Sequence, residues 1–98
     1  MNILFHPDAE LEFNEAIDYY ENAETGLGLD FSIEIANAIE RIAAFPKAWP
    51  LLEDGIRRSL VRRFPYGVLY HESQRTIYVV AVMHLHRNPD YWQHRIKN

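Results

Sequence analysis

The spacing of apolar side chains changes near the middle of the chain, and this change constrains the fold more than any other feature. In the first half, apolar residues recur every three or four positions along DAELEFNEAIDYYENA and again from Phe31 to Phe45. This spacing is typical of amphipathic helices. In the second half, Ile56 to Phe64, Tyr66 to Glu72 and Thr76 to Leu85 are rich in Val, Tyr and Ile, as strands are. The pattern predicts two helices followed by three strands.

Proline and glycine residues mark where the elements begin and end. Pro7 fits the first position of a helix, and Gly26 and Gly28 are predicted to form the break between the two helices. Pro46 ends the second helix because its ring cannot continue the hydrogen-bond ladder. The apolar opening Asn2 to Phe5 is predicted to be a first strand.

The resulting element order predicts the architecture. A short helix after Pro89 would complete the order β-α-α-β-β-β-α, which is an α+β fold. We expect the helix hairpin to pack on one face of an antiparallel twisted sheet and to leave the other face for function. The run IYVVAVM is apolar at consecutive positions, which predicts a central strand buried on both faces.

The length and composition indicate one domain over residues 1–98. The chain is 48% hydrophobic, which suffices for one core, and 98 residues are too few for two. It has no cysteine, so disulfides and thiolate metal sites are excluded. Neither a leader pattern nor a bilayer-length apolar run is present, so we expect a cytoplasmic protein without membrane contact.

The two halves of the chain carry opposite charge. Up to Asp54 there are twelve acidic and two basic residues, whereas from Gly55 onward there are eight basic and two acidic residues. Such asymmetry indicates one face that meets a charged partner. The alternative, that acids cover exposed helix faces and arginines extend from strands into solvent, stays open.

Three stretches of the sequence resemble a known toxin family. They are FHPDAELEF, RRFPYGVLY and IYVVAVMHLHR, and their most specific positions are Arg62, Phe64, Pro65, Tyr66, Tyr70, Val82, His84 and Arg87. Together they resemble the RelE/ParE superfamily of toxins from type II toxin-antitoxin pairs, over nearly the whole chain. The resemblance implies a growth-inhibiting, plasmid-stabilising toxin that forms a hetero-oligomer with a cognate antitoxin.

The resemblance leaves the target open. ParE-like members inhibit DNA gyrase, RelE-like members cut messenger RNA on the ribosome, and a third alternative is a non-toxic remnant that only binds its partner. The acidic stretch LLEDG, a glycine at Gly67 and the presence of only two lysines depart from the nuclease pattern. Because phosphate contacts dominate affinity for RNA, a net charge of -4 also favours the ParE-like branch.

The resemblance also implies candidate site residues. In the nuclease branch, Arg62, His84, Arg87 and Tyr91 would be catalytic, supplying a base, a cation for the phosphorane and an acid. Arg58, Arg62 and Arg87 are the predicted contacts to the target or to phosphate. An ion pair of Arg87 with a carboxylate of the first helix is an equally open alternative.

The last strand raises two further questions. Strict alternation would place Tyr78, Val80, Val82 and His84 on one side of the strand. The spacing of His84 and His86 would let two imidazoles share a face, as in a metal site. Since no cysteine and no further histidine at a suitable spacing completes a ligand set, we expect neither a metal nor a cofactor.

Overall fold

The secondary structure follows the predicted order of elements. The computed structural model describes residues 1–96. Its elements are β1 (Asn2–Phe5), α1 (Pro7–Ala23), α2 (Leu27–Ala44), β2 (Arg57–Leu60), β3 (Tyr66–Ser73) and β4 (Thr76–His84). Short 3₁₀ turns lie at Glu53–Gly55 and Gln93–Arg95, so the predicted terminal helix is reduced to a single turn. Within the described chain, neither helix combines the length and apolarity that crossing a membrane requires.

The four strands form one sheet in the order β1-β4-β3-β2. The β2–β3 and β3–β4 pairs are antiparallel, as predicted, but β1 pairs with β4 in parallel, so the sheet is mixed. The parallel pair is possible because the helix hairpin lies between β1 and the later strands and supplies the long connection that parallel pairing needs. The central position and burial of β4 confirm the prediction from IYVVAVM.

The helix hairpin covers one face of the sheet. The buried side chains of α2, among them Phe31, Ile35 and Ile42, join Tyr70 and Val79 of the sheet in one core. Burial of such side chains contributes roughly 1.5 to 3 kcal/mol each. The regular apolar stripes that identified the helices in the sequence are therefore the surfaces that close this face.

The connection between the helices depends on two glycines with different roles. Gly26 precedes α2 with a φ of 90°, a conformation that glycine adopts without strain. The prediction that Gly28 is part of the break is wrong: it lies in the first turn of α2, where a Cβ atom would be 2.6 Å from the carbonyl oxygen of Ile17. The Glu21 carboxylate accepts hydrogen bonds from the backbone N–H groups of both glycines and so caps α2.

A bulge in β4 changes which side its later residues face. Leu69 pairs with Ala81 and Tyr70 with Val79, so Val80 is an extra residue. Val80 and Ala81 both pack on the face away from the helices. The alternation expected for Tyr78, Val80, Val82 and His84 is therefore wrong, because Val82 and His84 lie on the helix side.

The face away from the helices, here called the second face, was expected to be open but is partly covered. The indole of Trp92 is buried there against Ile56, Leu69, Val80, Ala81 and Met83. The irregular segment that follows β4 thus covers part of the second face. This occurs because the central strand is apolar on both sides and requires a cover on each.

Candidate functional site

The carboxylate of Glu12 is the centre of a polar cluster between α1 and the C-terminal segment. It accepts hydrogen bonds from the Val82 N–H at 3.1 Å, the Tyr91 hydroxyl at 2.5 Å and both terminal nitrogens of Arg95 at 2.8 and 3.0 Å. Nη1 of Arg87 lies 3.6 Å from the same carboxylate. We call Glu12, Arg87, Tyr91 and Arg95 the Glu12 cluster.

The cluster completes the hydrogen bonding of β4 where its neighbour ends. The pairing of β1 stops at Val79, which leaves the next backbone groups of β4 without a strand partner. There Nη1 of Arg95 donates to the Val80 carbonyl oxygen at 3.0 Å, and the Val82 N–H donates to Glu12. Since buried backbone groups are costly to leave unpaired, these two side chains replace a missing strand.

Burial and charge hold the members of this cluster in one protonation state. Burial raises the pKa of Tyr91 well above its usual value, and the hydrogen bond that it donates to Glu12 adds to the shift. Burial alone would lower the pKa of Arg95, but the hydrogen bond and charge of Glu12 raise it instead. Tyr91 is therefore a neutral donor and Arg95 a cation over the physiological range.

His84 and Arg87 share a depression at the end of the sheet. It has a volume of about 240 Å³ and is also lined by Glu15, Tyr19 and Tyr66. The ring of His84 contacts that of Tyr66 edge-on at 5.1 Å, and its Nδ1 accepts the N–H of His86. The candidate residue His84 is therefore held at this depression by Tyr66 and by the backbone of His86.

The guanidinium of Arg87 is already engaged in this depression. It pairs with Glu12 and lies 3.9 Å from the ring centre of Tyr91 in a cation–π contact. A phosphate that bound Arg87 would therefore compete with an ion pair inside the protein. In this structure Arg87 therefore forms the ion pair with a carboxylate of the first helix that the sequence left open as an alternative.

The other two candidate arginines lie elsewhere. Arg62 is exposed and borders a shallow cleft formed by the C-terminal part of α2, from Asn37 to Phe45. Arg58 lies on the second face beside Trp92. The fold thus brings His84, Arg87 and Tyr91 together around Glu12, whereas Arg58 and Arg62 each border a different cavity.

The paired histidines do not extend into a ligand cluster. The rings of His84 and His86 lie 5.0 Å apart at an angle of 61°. Among residues 1–96, no three His, Asp or Glu side chains group in a way that could hold a metal ion.

Glu12 and Arg95 are the residues that the sequence reasoning missed. An acidic residue within an amphipathic helix ordinarily faces solvent, but the side chain of Glu12 is only 14% exposed. A spacing signal existed, because Glu12 lies three residues after Ala9 and four before Ala16, and both alanines are buried. No comparable local signal pointed to Arg95, which lies 83 positions further along the chain.

Comparisons with known proteins agree with this architecture. A family model described as ParE toxin of type II toxin-antitoxin system, parDE, matches residues 3–89. A solved structure titled chromosomal ParDE TA system from P. aeruginosa matches with a TM-score of 0.72 and 17% sequence identity. That match covers 87% of this chain and 96% of the other chain, and at this identity it shows a shared fold. No curated protein matches the chain in sequence.

Proposed function

Since the chain belongs to the ParE toxin family of type II toxin-antitoxin systems, we propose that it inhibits DNA gyrase and that a cognate antitoxin neutralises it. The observation that carries this proposal is the family match over residues 3–89. The predicted target would place the protein in the cytoplasm. Inhibition requires only that the toxin bind gyrase, so no catalytic residue is needed.

The arrangement of the candidate residues supports inhibition over RNA cleavage. A metal-independent nuclease needs its base, cation and acid around one phosphate. Here Arg62 borders a different cavity from His84 and Arg87, and the Tyr91 hydroxyl donates to Glu12. We propose that Arg62, which is exposed and free of the Glu12 cluster, contacts the target.

The second candidate function, ribosome-dependent cleavage of messenger RNA, has one observation in its favour. His84 and Arg87 line the same depression, and Tyr91 contacts Arg87. These three would be catalytic with Arg62 if the target were messenger RNA. The test must therefore measure both activities.

The exposed apolar side chains of the helices support an antitoxin helix as the neutralising contact. Leu11 and Tyr19 of α1 are 55% and 69% exposed, and Leu29 and Ile33 of α2 are 64% and 48% exposed. Within each helix these residues are spaced by multiples of four positions, so they share a side. We propose that an amphipathic antitoxin helix covers them, and that an antitoxin strand can also pair with an outer strand of the sheet, β1 or β2.

The decisive experiment measures both target activities with the same purified protein. Supercoiling of relaxed plasmid by gyrase and integrity of messenger RNA in a purified translation system are followed as toxin is added. We expect supercoiling to fall while the messenger stays intact. Overexpression should slow growth, and coexpression with the product of the adjacent antitoxin gene should restore it.

Arginine variants separate the alternatives. Arg62→Ala should weaken gyrase inhibition, whereas Arg75→Gln, at the exposed turn between β3 and β4, serves as the matched control. Messenger cleavage that is lost in both Arg62→Ala and Arg87→Ala, with supercoiling unaffected, would replace this proposal by the nuclease function. Harmless overexpression of a protein that still binds its antitoxin would indicate the non-toxic remnant.

A further inference from the structure

The second face carries an exposed apolar surface next to an arginine. Arg58 and Leu60 are two residues apart on β2, so both side chains point to this face. Leu60 is 55% exposed, and Leu85, directly after β4, is 37% exposed. We call the surface formed by Leu52, Arg58, Leu60 and Leu85, which lies beside the buried Trp92, the Arg58 patch.

A pocket of about 210 Å³ opens beside Arg58. Its apolar walls are Leu52, Leu69, Met83, Pro89 and Trp92, and two acidic residues, Glu53 and Asp90, also border it. Gln93 donates to the Glu53 carboxylate at 2.6 Å. The pocket is large enough for one apolar side chain of a partner and is flanked by a cation.

The side chain of Arg58 is fixed by the glycine beneath it. A Cβ atom at Gly67 would lie 3.1 Å from both Cγ and Cδ of Arg58, so the arginine stem occupies the space above this glycine. Gly67, which departs from the nuclease pattern, therefore has a structural role on this face. It lets Arg58 lie flat across β3.

The guanidinium of Arg58 is unpaired within the described chain, as is that of Arg62, but Arg62 is exposed whereas Arg58 is half-buried. Arg57 donates to the Trp49 carbonyl oxygen, Arg63 pairs with Asp30, and Arg95 pairs with Glu12. Within residues 1–96, the guanidinium of Arg58 makes neither a hydrogen bond nor an ion pair. A carboxylate from a partner would give this half-buried cation the charge-assisted hydrogen bond that it does not make within the described chain.

We propose that the Arg58 patch binds a segment of the antitoxin in which an apolar side chain lies next to a carboxylate. The apolar side chain enters the pocket, and the carboxylate pairs with Arg58. This inference rests on the proposed neutralisation by an antitoxin and adds a second contact on the side of the sheet opposite the helices. A protein segment fits better than RNA, because the pocket walls are apolar and Arg58 needs only one carboxylate, whereas a chain of phosphates would place further negative charge beside Glu53 and Asp90.

The test compares charge and shape variants of Arg58 in binding to the purified product of the adjacent antitoxin gene. Arg58→Met keeps the apolar stem above Gly67 and removes only the charge, whereas Arg58→Glu reverses it. We expect the dissociation constant, measured by titration calorimetry, to rise about 10- to 100-fold, as for loss of a charge-assisted hydrogen bond. Arg75→Glu is the matched control and should bind like the wild type, and circular dichroism checks that each variant is folded.

A charge exchange tests the pairing directly. Acidic residues of the antitoxin are replaced one at a time by arginine, and one such variant should bind Arg58→Glu more tightly than the unchanged antitoxin does. Wild-type affinity in both Arg58 variants would overturn the inference while leaving neutralisation intact. Loss of gyrase inhibition with unchanged antitoxin binding would also overturn it and assign the patch to the target. If the wild-type toxin bound no antitoxin, neutralisation itself would fail.

Discussion

The two faces of the sheet are closed in different ways. The helix face is covered by α1 and α2, whose apolar stripes form a continuous core with Phe31 fully buried. The second face is covered by an irregular segment that contributes one large side chain, Trp92, and is attached to α1 through the Glu12 cluster. The helix face thus depends on repeated apolar contacts, whereas the second face depends on one indole and one buried carboxylate.

This difference indicates where the protein can carry function. A face covered by regular helices leaves little of the sheet for a partner. The partial cover of the second face leaves Leu60, Leu85 and the pocket beside Arg58 accessible. The covering segment therefore stabilises the fold without closing the whole surface.

Truncation of the helix-face core should give the largest effect. Phe31→Ala removes a ring that contacts Tyr20, Phe64 and Tyr66, and we expect the free energy of unfolding to fall by about 3 to 5 kcal/mol. Urea unfolding followed by circular dichroism measures it. Ile33→Ala, on the exposed side of the same helix, should cost less than about 1 kcal/mol. Equal losses in the two variants would show that the helix face is not the main core.

Removal of the charge at Glu12 tests the attachment of the second face. Glu12→Gln leaves Arg95, whose side chain is 6% exposed, with only the partly exposed Asp8 carboxylate, 3.7 Å from its Nε, as a counter-charge, and we expect a loss of about 3 kcal/mol. Urea unfolding gives this energy, and hydrogen exchange should show faster exchange of the Val82 amide. Glu15→Gln, one position before the buried Ala16, is the control. An unchanged Val82 amide would contradict the role assigned to the cluster.

The close approach of the two helices should give a smaller effect. In Gly28→Ala the new Cβ meets the Ile17 carbonyl oxygen, so the helices must separate, at a cost of about 1 to 3 kcal/mol. Thermal unfolding measures the change. Leu29→Ala, at an adjacent position that is 64% exposed, should be close to neutral. A neutral Gly28→Ala would show that the two helices can move apart without loss of stability, contrary to this expectation.

Each face also contains a tyrosine whose raised pKa makes the free energy of unfolding depend on pH in the alkaline range. Burial raises the pKa of Tyr70, on the helix face, to about 12, above the value of about 10 expected in the unfolded chain. Its contribution is therefore complete below pH 10 and is lost as the pH rises toward 12, by up to about 1.4 kcal/mol per pH unit. Tyr91 acts in the same direction on the second face.

Phenylalanine variants isolate these contributions. Tyr70→Phe loses the hydrogen bond to the Pro46 carbonyl oxygen, about 1 kcal/mol at neutral pH, and should reduce the decline in stability between pH 10 and 12. Tyr91→Phe should also reduce this decline in stability, independently of Tyr70→Phe. Urea unfolding from pH 8 to pH 12 measures both variants against Tyr19→Phe, whose ring is exposed. Declines as steep as in the wild type would exclude these tyrosines as the titrating groups.

Much of the fold was predictable because its signals are local. The helical spacing located α1 and α2, and the apolar run IYVVAVM identified β4 as the buried central strand. The parallel pairing of β1 with β4 was not predicted, because no residue within β1 indicates which strand it will join. Strand partners are chosen by the packing of the whole chain.

The candidate site was less predictable than the fold. Residue type and position indicated His84, Arg87 and Tyr91, and the fold places them near one another. The sequence did not indicate that Glu12 holds Arg87 and Tyr91, because the partners are separated by most of the chain. Nor did it indicate that Arg58 lies apart from Arg62, since that depends on where β2 ends.

The sequence by itself determined the elements, their order and the family. These follow from spacing within a few residues and from short motifs, which local sterics and burial control. The tertiary structure alone decided which face each site residue occupies. One extra residue, Val80, moves His84 to the helix side, and the pairing of Glu12 with Arg95 joins positions 83 residues apart. Such choices depend on pairing register and long-range contacts, which periodicity along the chain does not specify.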